Sequence, residues 1–159
     1  MNGKIVAGFI VVIALAAGIA MYWLQEYAFY EKASFSPGAE IELTPIEGGQ
    51  PEAILAENVQ GIDSESSPIR FRACFTTPLS LGMLTETYVT YPDAEPLIAP
   101  AWFDCFDATA IGKALESGEA VAFLSRAGVK PGIDRVVAVF ADGRAFAWTQ
   151  VSKSAGQSQ

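Results

Sequence analysis

The sequence predicts an α+β protein: an N-terminal transmembrane helix followed by a small, mainly antiparallel sheet domain with one packed helix. Three observations lead there. From Ile5 to Leu24, "IVAGFIVVIALAAGIAMYWL" runs for twenty residues without a charge. Residues 68–76, "PIRFRACFT", alternate strictly between apolar and more polar positions, the period of a half-buried strand. Residues 134–151, "DRVVAVFADGRAFAWTQV", set two β-rich runs around Asp142-Gly143, a strong short hairpin signal.

The apolar run is long enough, at about 1.5 Å per residue, for a hydrocarbon core of roughly 30 Å. A cleavable signal would exit after a small residue, and Gly18 and Ala20 offer such a place. The run instead continues through Met21, Tyr22, Trp23 and Leu24, and Tyr22, Trp23, Tyr27, Phe29 and Tyr30 supply the aromatic belt of a membrane interface. Residues 1–28 therefore read as an uncleaved signal anchor. Lys4 precedes it, whereas Glu26, Glu31 and Lys32 follow it. That asymmetry points to a single-pass protein of a bacterial inner membrane, with a cytoplasmic N-terminus and a periplasmic C-terminal domain. Ala7, Ala14 and Gly18 lie along one side of the helix, a stripe of small residues that would admit a partner helix.

Residues 29–39 read as a linker with a turn at Pro37-Gly38, and residues 40–151 as the exported domain. Glu40 to Ile46 suits a short strand, closed by the turn-rich "EGGQPE". Residues 53–62 fit neither period, and Asp63 to Ser67 suits a loop. In the next strand Ile69, Phe71, Ala73 and Phe75 point one way, and Arg70, Arg72, Cys74 and Thr76 the other. The Thr, Tyr and Val content of "MLTETYVTY" suggests another strand, and "PDAEPLIAP" a proline-broken loop. Asp107 is placed to cap a short helix along which Ala108, Ile111 and Leu115 share a face, and Gly118 to end it. "AVAFLS" suits a strand and "GVKPG" a turn. If the final hairpin has a two-residue turn, Val139 faces Phe146, Val137 faces Trp148 and Phe140 faces Ala145. Residues 152–159 suit a disordered tail.

Lys4 and Lys32 balance Glu26 and Glu31, so the formal charge of −8 falls entirely on the rest of the chain. A domain that acidic is poorly suited to nucleic acid or anionic lipid headgroups, which require clustered Lys and Arg. Histidine is absent, which removes the commonest general base and the usual zinc or copper ligand. Glu40 with Glu42, Asp63 with Glu65, and Asp104 with Asp107 are acid pairs that sequence alone does not bring to a catalytic separation. No cofactor, metal or small-molecule ligand is assignable.

The two cysteines, Cys74 and Cys105, are the even count that an oxidising compartment joins in one bridge. Cys74 projects from the polar face of its strand, which "AWFDCF" could cover. Asp104 and Asp107 would then neutralise Arg70 and Arg72 as structural ion pairs. The sequence has no C-x-x-C for redox chemistry and no histidine to complete a metal site; buried free thiols are the remaining alternative.

The stretches "MNGKIVAGFIVV", "PIRFRACF", "LTETYVTY", "WFDCFDA" and "GIDRVVAVFADGRAFAW" resemble a family of small single-pass membrane proteins of alphaproteobacteria that carries only a domain-of-unknown-function label. The resemblance covers nearly the whole chain and transfers no site residues. Such chains are sometimes named automatically as histidine kinases. This sequence, without histidine or room for an ATP-binding domain, disagrees with that name. The expectation is a non-catalytic accessory or assembly subunit of an inner-membrane complex, with a membrane-protein partner. The alternatives are a membrane-tethered ligand-binding or sensing module, marked by an apolar pocket ringed by Trp102, Phe103 and Trp148, and a carboxylate-dependent enzyme.

Overall fold

The computed structural model describes residues 2–153, so all but the first two residues of the tail expected at 152–159 lie outside the described residues. The chain divides into two units, Met1–Tyr30 and Glu31–Gln159. In the first, α1 (Gly3–Glu26) has a mean hydropathy of 2.6 and none of its residues buried. Its 24 residues extend about 36 Å, the length and apolarity of a membrane span or a signal sequence. Tyr22 and Tyr27 meet edge to face near its C-terminal end.

The second unit is built on a six-stranded sheet of order β1-β4-β5-β8-β7-β6, with every neighbouring pair antiparallel. The strands are β1 (Glu31–Lys32), β4 (Glu57–Asp63), β5 (Arg72–Thr76), β6 (Ala120–Lys130), β7 (Ile133–Phe140) and β8 (Arg144–Val151). A two-stranded ribbon, β2 (Glu42–Leu43) with β3 (Glu52–Ala53), and two helices, α2 (Leu81–Thr87) and α3 (Ala108–Ser117), complete it. The α+β reading of the sequence therefore holds.

Alternation sorts the side chains onto two faces. Phe71, Ala73 and Phe75 join Val137, Val139, Ala145 and Ala147 in one core, closed by Ile41, Leu43, Ile54, Leu84 and Tyr88 from the ribbon and the α2 segment. On the opposite face α3 sets Ala114 and Leu115 against Ala120, Phe140 and Phe146. The termini of α3 are those its sequence indicates. The Asp107 carboxylate accepts a hydrogen bond from the Ala110 N–H (3.0 Å), and Gly118 stops the helix with φ of 79°.

The strand expected at Glu40–Ile46 shortens to Glu42–Leu43, Asp63 ends β4 rather than opening a loop, β6 runs on to Lys130 through the expected turn, and four further differences have a local reason. The final hairpin pairs Val139 with Ala145, Ala138 with Phe146, Val137 with Ala147 and Val136 with Trp148, one residue away from the expected register. Its loop has three residues, Ala141 to Gly143. Gly143 alone takes a positive φ (88°), so the turn is not the two-residue type, which needs positive φ at Asp142 as well. Gly143 also lies so close to β5 that a Cβ there would stand 2.7 Å from the Thr77 carbonyl oxygen. The slip exchanges partners across the hairpin: valines meet alanines in one core, and Phe140, Phe146 and Trp148 gather on the other face.

"MLTETYVTY" begins as α2, because the Ser80 hydroxyl caps it by accepting from the Met83 N–H (3.3 Å). Only Tyr88 and Thr90 from this stretch form isolated bridges, to Pro45 and Phe123. The supposed linker contributes β1, whose Glu31 and Lys32 pair with Asp63 and Ile62 at the sheet edge. At the other end, the Ser152 N–H donates to the Gly132 carbonyl (2.9 Å) and the residue is buried, so the ordered domain passes the expected boundary at 151.

The loop expected at "PDAEPLIAP" is fastened by buried polar groups. The Gln150 amide oxygen accepts from the Glu95 N–H (2.8 Å) and from the Trp148 indole (2.9 Å), while its Nε2 donates to the Asp93 carbonyl (3.0 Å). At the start of the loop the Tyr91 hydroxyl donates to Asp134 Oδ2 at 3.0 Å. Burial foremost, then this bond, raises the Tyr91 pKa from its usual 10.0 to about 12. A raised pKa means that the neutral phenol is favoured in the folded state. The stabilisation is whole below pH 10 and is lost as pH rises from 10.0 to about 12. Melting curves across that window are expected to show this loss in the wild type and a smaller one in Tyr91→Phe. Equal losses in the two proteins would exclude Tyr91 as its source.

Candidate functional site

Two places on the domain concentrate chemistry. The first is the face of β5 that carries Arg72 and Cys74. Cys74 and Cys105 form a disulfide across a sequence separation of 31 residues, with Cα atoms 6.3 Å apart, which draws the loop before α3 onto this face. The Arg72 guanidinium, 3% exposed, donates from Nε to the Leu97 carbonyl (2.8 Å), from Nη2 to Ile98 (3.1 Å), and from Nη1 to Ile69 (2.8 Å) and Phe71 (2.7 Å). It also sits 5.7 Å from the centre of the Phe106 ring, which packs edge to face on Trp148 and Phe146. The loop does cover the polar face. The bonds seen at Arg72 are donated to backbone carbonyls, where the sequence suggested the carboxylates of Asp104 and Asp107. Asp107 serves as the α3 cap, Asp104 is exposed, and Arg70 is half-buried one residue before Phe71.

The aromatic trio does not ring one pocket. Trp148 is fully buried core, whereas Trp102 and Phe103 line a recess of about 420 Å³ beside Val59, Gly61 and Ile62 of β4. Ala7, Ala14 and Gly18 fall within α1 and are exposed. Among the described residues, no three His, Cys, Asp or Glu side chains gather as metal ligands.

The second place was not read from the sequence. A cleft of about 800 Å³ opens at one end of the sheet, between β1, the β4–β5 connection and the turn that joins β6 to β7. Its floor is Phe71, Arg135 and Thr149; its rim carries Glu31, Lys32, Asp63, Glu65 and Lys130. Arg135 and Thr149 are cross-strand partners in the β7–β8 ladder. Alternation places Arg135 on the same face as Val137 and Val139, and Thr149 on that of Ala145 and Ala147, so the apolar core ends here in two polar side chains.

Both are chemically unsatisfied. Arg135 Nε and Thr149 Oγ1 are buried and hydrogen-bond to nothing among the described residues. The Arg135 guanidinium lies 4.0 Å above the Phe71 ring, in stacking range. Three other cations of the domain have anionic partners: Arg126 meets Glu42 at 2.6 Å, Arg144 meets Asp142 at 2.7 Å, and Lys153 meets Asp93 and Glu95. Burial pushes the Arg135 pKa down, against the nearby Asp63 carboxylate, which raises it; Arg126, its cross-strand neighbour in β6, adds to the lowering. An arginine remains protonated at neutral pH even so. The cleft floor thus holds a half-buried guanidinium whose Nε has no partner, next to an unused hydroxyl, an arrangement suited to an oxyanion.

The signal that could have exposed this site is one of parity. In "IDRVVAVF", Arg135 shares its face with Val137 and Val139, a charge on a strand face that is otherwise core.

Residues 41–158 match the model of a family of unknown function, DUF6446, and the chain belongs to that family. No curated protein and no solved structure matches it. The matched segment contains both the disulfide and the cleft floor.

Proposed function

We propose that this member of DUF6446 is a single-pass membrane protein that works by recognition rather than catalysis. In this reading it is an accessory subunit of an inner-membrane complex that presents a binding cleft to the periplasm. The observation that carries it is Arg135: a largely desolvated guanidinium with an unpartnered Nε, on the floor of an 800 Å³ cleft. Burying a charged group without a hydrogen-bond partner costs stability, and an incoming anionic group would offset that cost. The apolarity of α1, its terminal aromatics and the lysine in its first turn support an anchor with its N-terminus in the cytoplasm. The disulfide suits an oxidising compartment.

Association with a membrane partner falls to the stripe of Ala7, Ala14 and Gly18. Purification of the tagged full chain from membranes in mild detergent is expected to bring a fixed set of membrane proteins with it. Gly18→Leu should insert normally but lose them by steric clash, while Val12→Leu should retain them. Recovery of the same partners with Gly18→Leu, or a mature N-terminus near Met21, would remove the anchored-subunit reading.

A further inference from the structure

We infer that the cleft binds a small zwitterion of the amino-acid or short-peptide class, its carboxylate on Arg135 and Thr149 and its ammonium among the rim carboxylates Glu31, Asp63 and Glu65. This rests on the reading of the cleft as a recognition site and adds the chemistry of what it recognises.

The floor supplies the first half. The Arg135 guanidinium, its Cζ 4.0 Å from the centre of the Phe71 ring, is a planar fork of N–H donors, the shape that pairs with a planar carboxylate through two parallel bonds. Thr149 is 1% exposed, and its hydroxyl, without a partner, is one further donor at the same end of the cleft.

Charge supplies the second half. Arg135, Lys32 and Lys130 are matched by Glu31, Asp63 and Glu65, so the lining is balanced before anything binds. A doubly charged phosphate would leave two uncompensated negative charges in a domain that already carries a net −8, and a simple carboxylate one. A ligand with its own ammonium leaves none. The separation of roles follows from depth: the arginine and threonine lie on the buried floor, whereas Glu31 and Glu65 are exposed and Asp63 is half-buried at the mouth. One Asp63 oxygen already accepts from the Ser64 N–H (2.8 Å), and the carboxylate has capacity for a second donor. The volume, about 800 Å³, exceeds what a single amino acid fills and suits a few linked residues.

The test is calorimetric titration of the full chain in detergent micelles with free alanine, trialanine, trialanine amide, N-acetyl-trialanine and inorganic phosphate. Trialanine should bind, and amidation or acetylation should each weaken binding at least about tenfold, since each removes one charged partner. Free alanine binding as tightly as trialanine would assign the site to amino acids; weaker alanine binding would assign it to peptides. Arg135→Gln should weaken trialanine binding by about tenfold or more, and Thr149→Val, close to isosteric, by a few-fold. The proposal is overturned if the amide binds as well as the acid, if phosphate is the better ligand, if no amine-bearing probe binds at millimolar concentration, or if Arg135→Gln, melting like the wild type, binds unchanged. The comparison of acid with amide uses the wild type alone, so it stands even where a variant folds poorly. Partner recovery in the purification experiment is independent of all these outcomes, which keeps failure of the zwitterion distinct from failure of the anchored-subunit reading.

Discussion

Replacing Cys74 or Cys105 with Ser is expected to destabilise the domain by about 3–4 kcal/mol, the chain-entropy value for a loop of the observed 31-residue separation. At the size of this domain that corresponds to a fall in Tm of roughly 10–15 °C. The cause extends beyond the crosslink. With the bridge absent, the loop over β5 is held by the bonds from Arg72 to Leu97 and Ile98, by Gln150 and by the packing of Phe106. Thermal melts with and without reductant are the check. A wild type insensitive to reductant, with both thiols shown free by alkylation afterwards, would show that the bridge adds nothing to the folded state.

The second large effect is expected at Arg72. Arg72→Met keeps the aliphatic bulk under Phe106 but removes the donors that reach Leu97 and Ile98. Two charge-assisted bonds at about 1.5 kcal/mol each give a loss of about 3 kcal/mol. The loss should be less than additive with Cys74→Ser, because both restrain one loop and each weakens the other's anchor point. Additive losses in a double-mutant cycle would mean that the two restraints act on separate parts of the structure. Replacement of a buried charge by a well-packed apolar group is sometimes neutral, and a neutral Arg72→Met would identify the guanidinium as a determinant of loop position without net stability.

The parts of the fold that were legible in sequence are those fixed locally. The long apolar helix α1 follows from composition, the α3 ends from Asp107 and Gly118, and the two faces of β5 from strict alternation that the structure keeps. The parts that were not legible depend on distant atoms. "MLTETYVTY" carries strand-forming residues, yet the cap at Ser80, upstream of the stretch, turns its first part into helix. Asp142-Gly143 signals a hairpin but not its loop length, and the close approach of Gly143 to the Thr77 backbone fits a three-residue loop. The linker became β1 because β4, about thirty residues later, offers an edge that no local pattern announces.

The candidate site divides in the same way. The disulfide could be reasoned from count, compartment and strand face. The partners of Arg72 could not, because backbone carbonyls leave no trace in residue identity. Arg135 was open to a parity argument, but its importance lies in what surrounds it: Phe71 from β5, Thr149 from β8 and the rim acids from β1 and the β4–β5 connection. Those elements converge only through the strand order.

The central claim is that the cleft floor, and Arg135 in particular, is the working part of this protein. Complementation tests it most directly: a strain lacking the chain is supplied with the wild type or with Arg135→Gln, and membrane insertion, melting and partner recovery are measured alongside. Arg135→Gln is expected to insert, to melt close to the wild type, since the lost charge had no hydrogen-bond partner at Nε, and to keep its partners, yet to leave the deletion phenotype uncorrected. Full correction by Arg135→Gln would contradict it.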